Sequence, residues 1–325
     1  MMSVWFVRLA RIGAVLALAV VMLGAYVRLS DAGLGCPDWP GCYGRLVVPH
    51  PTTSAEELGS QYTRPLEHGK AWREMIHRYL ASTLGLVCVA LAVIAWRNRR
   101  DPEQPKRVPA ALVALVIFQG LLGMWTVTLL LKPIVVVAHL LGGLATLALL
   151  MSLGRWRSAR FPSPTPALRA LGLAAAAALV LQISLGGWTS ANYAVLACSD
   201  FPTCQTQWWP PVTDFKEAFV LWRGLGQDYE GGVLDHPARV AIHFTHRLGA
   251  LLAAALIALL GLSLVRQAAT RVDGAAVLAV LVLQLCLGVS IVWFGVPLTV
   301  AVLHNGVAAL LLLAVINANQ RIRQR

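Results

Sequence analysis

Eight long apolar runs, broken by short polar or basic segments, dominate the chain. They fall at roughly 10–28, 73–96, 109–130, 134–153, 167–188, 238–265, 274–294 and 298–318, and each approaches the ~20 residues needed to cross bilayer hydrocarbon as a helix. Polar residues inside the runs gather near one end, the outer end on the topology below. Two long polar segments interrupt the series, at 29–72 and 189–237. The pattern predicts an all-α polytopic membrane protein with eight transmembrane helices.

Composition agrees. The chain has 325 residues, 58% hydrophobic and only 13% charged, with a mean hydropathy of +0.67; a soluble domain carries about a quarter charged residues. A net charge of +12 would suit nucleic acid, but its placement argues against that partner. The basic residues cluster at Arg8/Arg11, Arg97–Arg107, Arg155–Arg169, Arg266/Arg271 and Arg321–Arg325, all on one side if both termini are cytoplasmic. That side holds 16 Lys/Arg and 3 Asp/Glu, the other 11 and 12, as the positive-inside rule requires. About ten residues precede the first run, too few for an organelle transit peptide, and no small-residue cleavage site closes it. The expected location is a bacterial inner membrane, multi-pass, with the lipid bilayer as solvent. Trp5, Trp96, Trp125, Trp156, Trp188 and Trp293 suit an interfacial belt.

The chain also repeats itself. Cys36 and Cys198 lie 162 residues apart, His77 and His246 169, Gln119-x-x-x-Gly123 and Gln284-x-x-x-Gly288 165, and His139 and His304 165. Each half reads as long outer loop, His, Gln-x-x-x-Gly, His, over four spans. Four crossings return the chain to its starting side, so the halves form two pseudosymmetric four-helix bundles in parallel repeat about an axis along the membrane normal. The expected division is 1–157, a Pro/Ser-rich cytoplasmic linker at 158–166, and 167–325.

Candidate chemistry follows from the repeat. Cys36/Cys42 and Cys198/Cys204 face the oxidising side on this topology, which favours two local disulfides over four free thiols. A zinc site lacks a histidine at suitable spacing. Cys88 and Cys286, in mid-span, read as small apolar packing residues. His77, His139, His246 and His304 all fall in the first turns of even-numbered spans, so they share one depth near the outer surface. Two facing imidazoles on bundle helices can hold a haem iron axially, which gives one porphyrin pocket per half. The alternative is hydrogen-bonded polar residues that pack helices. Zinc or copper would need further ligands, and non-haem iron further carboxylates. His50, His68 and His236 read as exposed or structural.

The halves differ at one place: Glu74 lies three residues before His77, whereas His243 holds that place before His246. A carboxylate one turn from a haem ligand can accept a proton or stabilise positive charge; otherwise it caps the helix or pairs with Arg78. The asymmetry suggests that one half does chemistry and the other holds a permanent haem. Arg78 and Arg247 either pair with haem propionates or reach the interface.

The run Arg28-Leu29-Ser30-Asp31-Ala32-Gly33-Leu34-Gly35-Cys36-Pro37-Asp38-Trp39-Pro40-Gly41-Cys42, together with Glu74-Met75-Ile76-His77-Arg78, His139, His246-Arg247 and His304, resembles the haem A synthase family over nearly the whole chain. The resemblance implies oxidation of a methyl group of haem O, through a hydroxymethyl intermediate, to the formyl group of haem A. It implies substrate haem on His77 and His139 in the N-terminal half, with Glu74 essential, and haem B as cofactor on His246 and His304 in the C-terminal half. It further implies haem O synthase and an electron acceptor as partners and allows a homo-oligomer. Cys36–Cys42 would lie beside the substrate pocket, with Cys198–Cys204 as its counterpart. The chain departs from shorter members at 205–237, a segment free to cover a haem edge or receive a partner. Three other classes compete: a di-haem b-type electron-transfer cytochrome, which would not need Glu74; a proton-relaying transporter, which expects polar or broken mid-span helices; and a structural assembly factor, which leaves the matched histidines unexplained.

Overall fold

The computed structural model describes residues 4–62, 64–154 and 165–323. They form ten α-helices: α1 (Val4–Leu29), α2 (Ala55–Leu58), α3 (His68–Arg97), α4 (Arg107–Thr128), α5 (Pro133–Leu153), α6 (Pro166–Ala191), α7 (Phe215–Ala218), α8 (His236–Val265), α9 (Arg271–Trp293) and α10 (Leu298–Arg323). All but α2 and α7 are long and apolar enough to span a membrane. The fold is an all-α polytopic membrane protein. Several helices outrun their apolar runs; α3 begins at His68 and α6 ends at Ala191. Backbone hydrogen bonding, once nucleated, continues through polar residues that hydropathy does not register. Local chemistry sets the starts: Pro166 stands in the first turn of α6, where the Thr165 side chain accepts the Leu168 N–H, and Pro133 opens α5.

The chain divides into two units. In the first, α1 packs on α3 and α5, and α4 closes the ring between them. Ala10, Ala14 and Ala17 lie buried along α1; such small residues let apolar helices approach closely. In the second unit α6, α8, α9 and α10 form a ring in the same order. There Asn319 on α10 donates to the Gly172 carbonyl on α6 at 2.8 Å, a contact that a side chain at position 172 would obstruct. Most of the expected linker, 158–164, lies outside the described residues, as does Trp156.

The two units repeat in backbone detail. Left-handed residues recur at Asp31 and Tyr193, at Tyr43 and Gln205, and at Leu130-Leu131 and Gly295-Val296. One segment breaks the sequence order: Leu221–Val233, which follows α6 in the chain, clusters with the first unit.

Two side chains depart from expectation. Trp188 is buried rather than interfacial, because its indole N–H donates to the Ala218 carbonyl of the second outer loop at 2.9 Å. Cys286 is exposed on α9 whereas Cys88 is buried; one mid-span helix face meets neighbours and the other does not.

Candidate functional site

Each ring carries a disulfide loop docked on the first turns of its second helix. Cys36–Cys42 and Cys198–Cys204 are both bonded. A carboxylate organises each loop from within. Asp38 accepts the N–H groups of Tyr43 and Gly44, both at 2.7 Å. Asp200 accepts those of Gln205 at 2.7 Å and Thr206 at 2.9 Å, together with the Thr203 hydroxyl. Burial pushes the Asp200 carboxyl up, but these hydrogen bonds outweigh it and hold the group below the usual carboxylate range. Asp38 and Asp200 escaped the sequence reading, although they share the 162-residue offset of the cysteines.

On α3, Ala71, Glu74, Met75 and Arg78 form one face towards the loop, as their i, i+3, i+4, i+7 spacing requires. Ala71 and Met75 pack against the disulfide. Gly35 must be glycine, since a Cβ there would lie 2.6 Å from the Lys70 backbone. Glu74 is buried at 5% exposure. One of its oxygens accepts the Cys36 N–H at 2.9 Å and the other meets Arg78 at 2.5 Å. Glu74 therefore pairs with Arg78 and does not cap the helix, which starts six residues earlier. Arg78 also donates to the carbonyls of Asp38, Pro40 and Gly41.

On α8 the same frame holds other side chains. Val240 and Phe244 take the places of Ala71 and Met75 against the second disulfide. His243 replaces Glu74, and its Nδ1 accepts the Cys198 N–H at 3.2 Å. Arg247 donates to the carbonyls of Thr203 at 2.7 Å and Cys198 at 2.8 Å, and its Nε lies 3.3 Å from Nε2 of His243. Both arginines thus cap loop carbonyls, and both ring nitrogens of His243 are engaged by the protein. Among the loop histidines, His50 and His236 are exposed and His68 accepts from Trp72 at 3.1 Å.

The remaining four histidines point elsewhere. His77 on α3 faces Gly24 on α1, His139 on α5 faces Gly123 on α4, His246 on α8 faces Gly186 on α6, and His304 on α10 faces Gly288 on α9. A Cβ at these glycines would lie 3.0, 3.7, 3.1 and 3.2 Å from the respective imidazole carbons. The two imidazoles of each ring stand on different helices of one bundle, α3 and α5 in the first and α8 and α10 in the second. Nδ1 of His77, His139 and His304 is buried with no hydrogen-bond partner, which leaves a buried polar group at a cost of about 1–3 kcal/mol each. Only His246 has a partner there, the Gln182 amide at 2.9 Å. The Gln284 amide lies 3.1 Å from His304 Nε2. No cluster of three or more His, Cys, Asp or Glu side chains suited to a metal ion occurs among the described residues. Two imidazoles on different helices suit a porphyrin iron, which asks the protein for two ligands rather than a full set. Among the described residues no protein group bonds the His77 or His139 ring, whereas the Gln182 and Gln284 amides reach those of His246 and His304. Gly123 and Gly288 belong to the repeated Gln-x-x-x-Gly; Gly24 and Gly186 were not singled out by sequence, although they share the 162-residue offset, and Gln182 has no repeat counterpart, since Val20 holds that place.

These features define a polytopic membrane protein of two four-helix units, each presenting a pair of histidines beside a disulfide loop. The chain belongs to the COX15-CtaA family, described as cytochrome oxidase assembly protein, whose model matches residues 7–316. It is 44% identical over 318 residues to a heme A synthase of Shewanella oneidensis, covering 96% of this chain and 94% of that protein. It is 31% identical to a heme A synthase of Rhizorhabdus wittichii, over 93% of this chain and 90% of that one. A heme A synthase of Halalkalibacterium halodurans is 30% identical, over 90% and 88%.

Proposed function

We propose that this chain is a haem A synthase, a membrane oxidoreductase that converts a methyl group of haem O, through a hydroxymethyl intermediate, into the formyl group of haem A. One observation carries the assignment of roles. The two units repeat histidine for histidine, and where the second has His243 the first has a buried carboxylate, Glu74. Repetition supports two haem sites of one design; the substitution supports chemistry at one of them.

His77 and His139 hold the substrate haem in the N-terminal half, and His246 and His304 hold haem B in the C-terminal half. Haem B, when bound, supplies one-electron redox chemistry. Glu74 stands one helical turn from His77, where its carboxylate takes up a proton released from the substrate carbon or stabilises positive charge developing there. Arg78 and the Cys36 N–H hold that carboxylate in place, so its orientation is settled before substrate arrives. The Cys36–Cys42 loop covers Glu74 on that side and leaves it 5% exposed. Each oxidation takes an oxygen atom from water and gives up two protons and two electrons, so an electron acceptor is needed, and the hydrated aldehyde loses water to leave the formyl group; haem O synthase is the natural supplier of substrate. The charge asymmetry supports an inner-membrane location with both termini cytoplasmic.

The test is chromatographic identification of haems extracted from protein purified out of cells that make haem O. Wild type is expected to yield haem B together with haem O, its hydroxylated form or haem A. Glu74→Ala should keep haem B and lose haem A. Glu74→Gln, which can still accept the Cys36 N–H, should fail likewise if the charge matters. Haem B alone in the wild type would point to a di-haem electron carrier instead.

A further inference from the structure

The segment Leu221–Val233 belongs to neither histidine pair and neither disulfide loop. Although both its flanks belong to the second unit, it packs on the first, and it grips that unit at three points. Lys132, only 2% exposed, donates from Nζ to the carbonyls of Arg223 at 2.8 Å and Gly224 at 2.9 Å and lies 3.8 Å from the Trp222 ring centre. The segment thus satisfies the ammonium's donors with two carbonyls and an aromatic face. Tyr229, also 2% exposed, donates its N–H to the Leu130 carbonyl at 3.0 Å and packs among Leu34, Val127 and Leu131. Arg64, from the first outer loop, bonds Glu230 at 2.5 Å and also Asp228. Between the grips the segment bows outward: Gly226 has φ +80° with open space around it, and Leu225 is 74% exposed.

Two of the three grips, those at Lys132 and Tyr229, meet the turn Leu130–Lys132 that leads into α5. Leu130 and Leu131 are both left-handed, at φ 52° and 61°, a conformation that costs bulky residues energy and persists only when its surroundings enforce it. His139 follows Lys132 by seven residues, two helical turns along the same face. Among the described residues the second unit has no counterpart. There the equivalent turn reads Gly295-Val296-Pro297, with a proline in place of the lysine and open space at Gly295.

We propose that Leu221–Val233 is a clasp on the outer end of the N-terminal ring, that Lys132 is its positioning residue, and that the clasp sets the placement of His139 for an exchangeable haem. The proposal rests on the reading of that ring as the substrate half. It accounts for a clasp on one ring alone: a resident haem stays in place, whereas a substrate haem must enter, be held in register and leave.

The test uses the full chain carrying its C-terminal haem, and reads amide hydrogen exchange together with spectroscopic titration by haem O. Lys132→Met should speed exchange across 221–233 and the first turns of α5 by about tenfold or more. It should weaken haem O binding by about tenfold, shift the low-spin spectrum of the bound haem, and leave haem B content and exchange at the α9–α10 turn unchanged. Faster exchange with unaltered haem O affinity and spectrum would overturn the positioning role; unaltered exchange would overturn the clasp itself. If Lys132→Met does not fold, Asp228→Asn/Glu230→Gln, which releases only the outer grip, decides. It should raise the haem O dissociation rate several-fold, and an unchanged rate would overturn the proposal. Wild-type protein that takes up no haem O would sink the haem A synthase reading, an outcome distinct from uptake that the variants leave unchanged.

Discussion

At the scale of single residues, close approach decides what each position tolerates. A Cβ at Gly24 would meet the His77 ring at 3.0 Å, tighter than ordinary contact, whereas one at Gly123 would meet His139 at 3.7 Å, ordinary van der Waals distance. Gly24→Ala is therefore expected to displace His77, cost about 1–3 kcal/mol and lower N-terminal haem occupancy, with Gly123→Ala close to wild type. Optical and paramagnetic spectra of the purified variants check this, and equal spectra for the two would refute it. A second contrast lies in the disulfide loops. Thr206 has φ 63° where the first loop has Gly44 at φ 71°. Thr206→Gly should stabilise the protein by roughly 0.5–1 kcal/mol, seen as a higher unfolding midpoint in detergent. The histidines were legible from sequence because an imidazole in an apolar run is costly and so conspicuous. Gly123 and Gly288 showed in the repeated Gln-x-x-x-Gly and Gly24 and Gly186 did not, but in neither case did the sequence reveal what they face, since nothing in a glycine's own neighbourhood says what stands opposite.

At the scale of elements, the disulfide loop and the helix below it form one piece. Asp38 binds the loop to itself, Glu74 and Arg78 bind it to α3, and Ala71 and Met75 pack beneath it. The covalent bond is one fastening among several. Cys36→Ser/Cys42→Ser should therefore cost about 2 kcal/mol, the chain-entropy value for so short a loop, while haem content stays near wild type. Thermal unfolding and haem extraction measure the two separately, and complete loss of haem would show that the bond itself builds the pocket. The sequence marked the cysteine pairs and the Glu-x-x-His-Arg spacing. It left Arg78 and Arg247 between haem propionates and the membrane interface; the docked loops add a set of carbonyls to which both donate, and no local pattern names those partners.

At the scale of the whole molecule, membrane physics made most of the architecture legible. Bilayer thickness fixes the length of an apolar run, and internally paired backbone makes each run a helix, so eight spans can be counted from hydropathy alone. Placing 16 Lys/Arg and 3 Asp/Glu on one side against 11 and 12 on the other predicts topology as well. Reporter fusions at residue 325 should behave as cytoplasmic and tags within 46–62 should be accessible from outside; the reverse pattern would invert the orientation. The repeat was visible because equal offsets carried equal chemistry, and the rings α1–α3–α4–α5 and α6–α8–α9–α10 share that order. Sequence by itself thus determined the spans, the repeat, the four matched histidines and the odd carboxylate, since each depends on side-chain type at a helical or repeat period. Only the tertiary structure decided that Arg78 and Arg247 cap loops, that glycines face the histidines, and that Leu221–Val233 closes on the first ring around Lys132. Those contacts join residues up to 166 positions apart, and no local period records which of many polar partners a distant loop will meet.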